Sequence, residues 1–432
     1  MKRKRGIMKE TAFELTTSNV RFGPGVTREV GMDIEDMGAG RVMVVADPNL
    51  CDLPPVQTVL EALGERKIKY ALYDRVEIEP TDESMKDAIE FASARAFDAF
   101  VAVGGGSTID TAKAADLYST YPPADFLDYA NRPVGKGLAV PGPLKPLIAI
   151  PTTAGTGSET TGVIVFDCVA IHAKTGIAHK RLKPMLALLD PDNTRTLPPM
   201  VAASTGLDVL CHAIESYTAL PYTEQPHPGR PADRALYQGS NPISDLWAMQ
   251  SLRMAAQFLP RVVEDPDDAE ARGNMLMAAS FAGMGFGNAG VHLPHAMSLP
   301  VGAMARNYRP EGYNVDHPMI PHGMAVVLNG PAAFRFLGSG APARHLEAAE
   351  ALGADVSGAR DEDAGKILGD KIIEYMQRLK MPNGLGAVGF AREDIPALVE
   401  GTLPQQRILK LMPRTASEEE LALVFEDALT CW

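Results

Sequence analysis

The chain has 432 residues, which predicts two or three domains, and its 46% hydrophobic and 22% charged residues fit a globular protein with a large core. A net charge of −13 excludes a nucleic-acid partner from the expected ones, because binding a phosphate backbone needs a basic face. No apolar run reaches the ~18–20 residues that cross a bilayer, so no membrane is expected, and four scattered cysteines (Cys51, Cys168, Cys211, Cys431) without CxxC spacing fit a reducing compartment.

At the N-terminus, MKRKRGIMKE is basic, lacks the apolar stretch of a signal peptide and reads as a disordered tail. The expected location is therefore the cytoplasm, or the mitochondrial matrix for a eukaryotic source. Short apolar runs then alternate with helical patterns. Strands are expected at Arg41–Asp47, Tyr70–Tyr73, Asp98–Val103, Pro146–Ile150 and Leu186–Leu189, and helices at Pro55–Leu63, Asp82–Ala94 and Ser107–Tyr118. This order predicts an α/β domain with a parallel, Rossmann-like sheet covered by helices on both faces.

After Leu197 the pattern changes. Val201–Leu220, Pro242–Phe258, Asp267–Phe281, Gly323–Phe336, Ala343–Leu352, Glu362–Leu379 and Ser417–Leu429 all read as helices. The expected organisation is an α/β dinucleotide-binding domain over 1–197 and an all-α domain over 198–432. Between two of these helices, Pro221–Asn241 is rich in proline and glycine and reads as a long loop of the kind that often carries function.

Two glycine turns follow strands. In the first, Gly104-Gly105-Gly106-Ser107 leads into a helix bearing Asp110 and Lys113. Glycines allow close backbone approach, the helix N-terminus offers free N–H groups to an anion, and Ser107 with Asp110 reads as a capping box. Alone, such a turn reads equally well as a tight, well-capped connection, and the G-x-G-x-x-G fingerprint is absent. The second turn, Thr152-Thr153-Ala154-Gly155-Thr156-Gly157-Ser158-Glu159, adds hydroxyls suited to a pyrophosphate and a ribose. Two such turns at the carboxyl ends of parallel strands point to a dinucleotide. Asp47, closing its strand, is placed to accept from ribose hydroxyls and would repel a 2′-phosphate, which favours NAD over NADP; alone it reads rather as a solvated turn acid.

Histidines cluster beyond residue 200. Asp208 and His212 lie four apart on one helix face; His292 and His295 form a second group, and His322 opens a later helix. A carboxylate and imidazoles make a mixed site for Fe(II), Zn(II) or a similar ion. Each alone reads as a buried core histidine or a helix ion pair, and His292 and His317 are candidate bystanders.

Together these segments resemble the iron-containing alcohol dehydrogenase family: the GGGSxxDxxK turn (Gly104–Lys113), the TTAGTGSE turn (Thr152–Glu159), the GxDxxxHAxE helix (Gly206–Glu215) and the PHG triplet (Pro321–Gly323). The resemblance spans nearly the whole chain. It implies the dehydroquinate synthase-like fold, with a dinucleotide-binding domain followed by a helical metal domain. It places the metal on Asp208, His212, His295 and His322, with His295 preferred over His292 by its position after Asn288. Cofactor contacts are implied at Asp47, Gly105, Gly106, Ser107, Asp110, Thr152, Thr153, Thr156 and Lys174.

The implied cofactors are NAD and Fe2+, with Zn2+ or another divalent ion as the alternative. The implied partner is a small hydroxy acid, oxo acid or alcohol, and assembly as a homo-oligomer is expected. Segments such as DFLDYANRPVGKG, YQGSNPISDLWA and EDIPALVEGTLPQQR resemble the branch that passes hydride from 4-hydroxybutyrate to 2-oxoglutarate; an ordinary NAD-dependent alcohol dehydrogenase is the alternative. Many family members carry a second histidine where this chain has Leu299, so His292 is the expected catalytic proton relay, with water as its alternative. Arg230 and Arg234 are candidate cations for a substrate carboxylate, and read equally well as solvated loop arginines.

Overall fold

The structure, a computed structural model, describes residues 8–171 and 173–432, so most of the segment expected to be a disordered tail lies outside the described residues. Among the described residues eight strands are formed: β1 (Asn19–Phe22), β2 (Arg41–Ala46), β3 (Lys69–Tyr73), β4 (Ala99–Gly104), β5 (Leu147–Pro151), β6 (Val163–Cys168), β7 (Ala173–Ala178) and β8 (Leu186–Leu189). Six make one all-parallel sheet in the order β3-β2-β4-β5-β8-β1, and β6 and β7 pair apart from it as an antiparallel hairpin. The central strands read as unbroken apolar runs because both of their faces are covered. Val42, Val44, Val101 and Val103 pack against α1 (Val30–Asp36) and α2 (Pro54–Glu65). The alternate residues Met43, Val45, Phe100 and Ala102 pack against α3 (Asp82–Ser93) and α4 (Gly106–Thr120).

β2 and β4 are neighbours, although β3, which lies between them in sequence, sits outside β2. The chain thus reverses its direction of travel across the sheet at β2 and β4, and a crevice opens beyond their carboxyl ends, the usual ligand position in such sheets. Gly104 pairs with Pro151, which sets the two glycine turns side by side.

The last strand ends at Leu189, and the first long helix, α5 (Pro199–Thr218), starts after a short link that contains residue 197. It is followed by α6 (Pro242–Glu264), α7 (Ala269–Ala289), α8 (Leu293–Ala303), α9 (His322–Leu337), α10 (Pro342–Ala351), α11 (Ala364–Arg378), α12 (Ile395–Thr402), the single turn α13 (Gln406–Leu409) and α14 (Glu418–Ala428). Their apolar faces share one continuous core.

One buried acid makes a test of the N-terminal layer. Asp116 on α4 is almost fully enclosed, and burial pushes its carboxyl up to about 7 despite bonds from Thr120 Oγ1 (3.0 Å) and Lys145 N (3.3 Å). Its folded pKa exceeds the unfolded one, so stability falls as pH rises from about 4 and the loss is complete above about 7. Asp116→Asn keeps the Oδ1 acceptor and removes the charge. It is expected to stabilise the protein by about 1–4 kcal/mol at pH 8 and to change little at pH 4, as read from urea unfolding at both pH values.

Candidate active site and metal centre

α5 carries Asp208 and His212 one turn apart, so both side chains leave the same helix face. α8 supplies His295 from its first turn, and α9 opens with His322. One ligand atom from each of the four residues lies within 4.8 Å of the others. His212 stacks flat on Phe286, with ring centroids 4.0 Å apart, which fixes its plane. Asp208 Oδ1, His212 Nδ1 and His295 Nε2 are buried without hydrogen-bond partners. Unpaired buried donors and acceptors cost stability unless an ion completes them, and one oxygen with three nitrogens is a donor set for Fe(II), Zn(II) or a similar cation. The residues present therefore fit a divalent metal.

The four groups set one another's charge. Burial pushes the Asp208 carboxyl up, but His212, His295 and His322 together hold it well below the usual carboxylate range. Burial drives His212 down to about 3. His295 lies between two carboxylates, Glu215 on Nδ1 and Asp208 at 3.5 Å from Nε2; against the effect of burial they raise it to about 10. Glu215, completely buried on α5, also accepts from the backbone N–H of His292 (2.7 Å) and of His295 (3.3 Å) at the start of α8. A carboxylate on the outer nitrogen of a ligating histidine sets its tautomer and leaves the inner nitrogen free for metal.

His322 is braced in a similar way from the sheet side. Its backbone N–H donates to Glu79 Oε1 (3.0 Å), while Glu79 Oε2 accepts from Lys174 Nζ (2.7 Å). Glu79 sits at φ 54°, a left-handed conformation that these contacts hold in place.

Two compartments meet at His322. The crevice, of about 290 Å³, is lined by Asp47, Gly105, Gly106, Ser107, Thr152, Thr153 and Thr156 and reaches Asp208 and His322. A smaller chamber of about 140 Å³ shares Glu79, Gly106, Ser107, Thr156 and His322 with it, then continues past His212, His295, Phe286, Tyr237, Leu299 and Arg407. Most of the expected cofactor residues and all four expected ligands therefore converge on one place.

Several expected roles are replaced. Ser107 does not cap α4: the cap position is Gly105, and the Ser107 hydroxyl instead accepts from Glu79 N (3.3 Å). Asp110 lines the chamber wall, but its carboxylate is engaged by Ser158 Oγ (2.5 Å), Val165 N (2.8 Å) and Lys113 (3.4 Å), so it ties the two glycine turns together rather than reaching a cofactor. Lys174 is buried between Glu79 and Asp167 (2.9 Å), away from both compartments, where it positions Glu79. Gly106 is a glycine because a Cβ there would come within 2.7 Å of Thr156 Cγ2, so the two turns press on each other.

His292 is fully buried and borders neither compartment. Its Nδ1 accepts from Leu293 N (2.9 Å), its Nε2 meets Thr218 Oγ1 (3.0 Å), and burial keeps the ring neutral with a pKa of about 4. Both nitrogens are spent on structure, which removes it as the catalytic relay. His317 is exposed beside Asp316. Arg234 pairs with Glu10 (3.1 Å), Arg230 is exposed, and neither reaches the chamber. The long loop 221–241 instead delivers Tyr237 to it. Glu215, Glu79 and Arg407 were missed: Glu215 could be read only as a motif letter, and Arg407 only as part of LPQQR.

Fold and site together define a class, an oxidoreductase acting on a CH–OH group. Residues 17–191 match the iron-containing alcohol dehydrogenase family and residues 236–429 match the Fe-containing alcohol dehydrogenase family, C-terminal. A relative from Bos taurus, hydroxyacid-oxoacid transhydrogenase, mitochondrial, is 56% identical over 97% of this chain and 90% of its own. Among solved structures, 1,3-propanediol oxidoreductase superposes with a TM-score of 0.84 at 28% identity, covering 97% of this chain and 100% of that one. Sulfoacetaldehyde reductase from Bifidobacterium kashiwanohense, in complex with NAD+, superposes with a TM-score of 0.78 at 26% identity over 97% and 99% of the two chains. The chain belongs to the iron-containing alcohol dehydrogenase family.

Proposed function

We propose that this protein is a hydroxyacid–oxoacid transhydrogenase: it oxidises 4-hydroxybutyrate to succinic semialdehyde and reduces 2-oxoglutarate to 2-hydroxyglutarate through one NAD(H). The observation that carries the reading is the convergence of three imidazoles and a carboxylate where a glycine-lined crevice meets a smaller chamber. Residues 1–197 would hold the dinucleotide and 198–432 the metal and substrate. Asp208, His212, His295 and His322 would hold Fe2+ or a similar divalent ion, which when bound supplies Lewis-acid polarisation of the substrate C–O bond. NAD in the crevice supplies the hydride acceptor and, once reduced, the donor.

The chain's own part is positioning. The paired turns hold the crevice open beside His322, and Asp47, whose carboxyl is raised by burial against two Asn49 bonds, stands at the far end for the ribose. Glu215 and Glu79 keep His295 and His322 in place. Phe286, Val291 and Leu299 keep the chamber wall apolar, which limits water beside the reacting carbon. The balance closes over two half-reactions: a hydride and a proton leave the alcohol, and a hydride and a proton reach the oxo acid. The four cysteines are free thiols, in keeping with the cytoplasm or the mitochondrial matrix. Among the described residues no helix is long and apolar enough to cross a membrane.

The metal-loaded protein, freed of unbound nucleotide by desalting, is expected to convert 4-hydroxybutyrate and 2-oxoglutarate in equal amounts with ping-pong kinetics, as followed by chromatography of both products. Turnover only with stoichiometric added NAD would replace this reading with that of an ordinary dehydrogenase.

A further inference from the structure

We infer that Arg407 is the cation that captures the distal carboxylate of the substrate, and so selects acids over plain alcohols. The inference deepens the proposed function and rests on that reading for its substrate pair.

The chamber wall contains two acids, and each is already matched: Glu79 by Lys174, and Asp110 by Lys113. Arg407 also lines the wall; its side chain hydrogen-bonds Tyr237, yet it makes no ion pair with any described residue, and its Nη1 is buried without a hydrogen-bond partner. A guanidinium is always charged, and leaving one of its N–H groups dry and unpaired is unfavourable unless a ligand fills the gap. The side chain is pre-positioned. α13 is a single turn that directs it inward, and its guanidinium lies over the Tyr237 ring, 4.7 Å from the centroid. An unmatched cation inside a protein of net charge −13 is a feature for an anion, and a planar fork suits a carboxylate.

The chemistry of the two substrates gives the position a reason. In 4-hydroxybutyrate two methylenes separate the carbinol carbon from the carboxylate carbon. In 2-oxoglutarate two methylenes separate the keto carbon from the distal carboxylate carbon. One metal and one guanidinium at a fixed separation therefore serve both half-reactions. The apolar side chains of Phe286, Val291 and Leu299 offer a wall for the methylenes between them. A simple alcohol has nothing to pair with Arg407 and leaves its Nη1 without a partner.

The test compares 4-hydroxybutyrate with 1,4-butanediol, which replaces the carboxylate by a neutral carbinol, in the metal-loaded full-length enzyme with added NAD. Arg407→Met is expected to lower the acid-to-diol ratio of kcat/KM by roughly 100-fold, with most of the loss in KM for the acid, and Arg407→Lys is expected to recover part of it. An unchanged ratio in Arg407→Met overturns the inference. Should that variant not fold, the wild-type enzyme decides: succinate should compete with 4-hydroxybutyrate at least tenfold better than succinamide does, and equal inhibition overturns the inference. Added NAD separates the two ideas. A wild-type enzyme that oxidises 4-hydroxybutyrate only with added NAD removes the transhydrogenase reading, while the acid-to-diol ratio still decides on Arg407.

Discussion

Glu215→Gln is expected to weaken metal binding by about 10- to 100-fold while the protein stays folded. The carboxylate has two tasks. One oxygen accepts the first N–H groups of α8, from His292 and His295, and the other takes the Nδ1 proton of His295. Burial pushes its pKa up, but His295 and His292 overcome this and hold Glu215 below its usual range, so it stays ionised. A glutamine retains one acceptor oxygen, which the backbone N–H groups of α8 claim. Its amide then faces Nδ1 as a donor. His295 must accept there, its proton moves to Nε2, and the ring can no longer offer that nitrogen to an ion. Calorimetric titration of the apo-protein with Fe2+ under anaerobic conditions, or with Zn2+, checks this. Wild-type affinity in Glu215→Gln would remove Glu215 from its assigned role.

Gly323→Ala is expected to abolish tight metal binding and to lower stability by about 1–3 kcal/mol. The residue follows the ligand His322 at the start of α9, where the helix presses against α5. A Cβ on Gly323 would stand 2.4 Å from the backbone oxygen of Ser204 and 2.9 Å from Asp208 Cβ. Neither neighbour is a flexible side-chain tip, so the helices must separate. The movement carries His322 away from Asp208, and the Glu79 bond to His322 N pulls the other way. Thermal unfolding with and without added metal reads both effects. A variant that still gains wild-type stabilisation from the ion would show that the contact between α5 and α9 does not set the site.

Much of the frame was legible because buried parallel strands and amphipathic helices announce themselves by period. β2, β4, β5 and β8 are continuous apolar runs, and each ligand sits at a helix start or on a helix face. β1 gives no such signal because NVRF is a four-residue edge strand with no apolar run and partly exposed side chains. The β6–β7 hairpin is not legible in the sequence because VIVF follows the hydroxyl-rich turn directly and pairs outside the main sheet.

Side-chain roles were harder to read than positions. A charge beside a glycine turn looks the same in sequence whether it faces a cofactor or another side chain. Lys174 meets Glu79, 95 residues away, and only the folded chain reveals that pairing. The position of His295 after Asn288 marks it as the ligand, but only the fold shows what His292 does: the start of α8 sends its ring to Thr218 and that of His295 to Asp208. The expected carboxylate-binding arginines lay in the Pro/Gly-rich loop, whereas the unmatched one sits on a single helical turn near the C-terminal end.

Glu79, Gly106, Ser107, Thr156 and His322 line crevice and chamber alike, so no separate layer of protein divides the two compartments. A side chain enlarged at any of these five positions takes space from both volumes at once, and neither compartment can be reshaped there without the other.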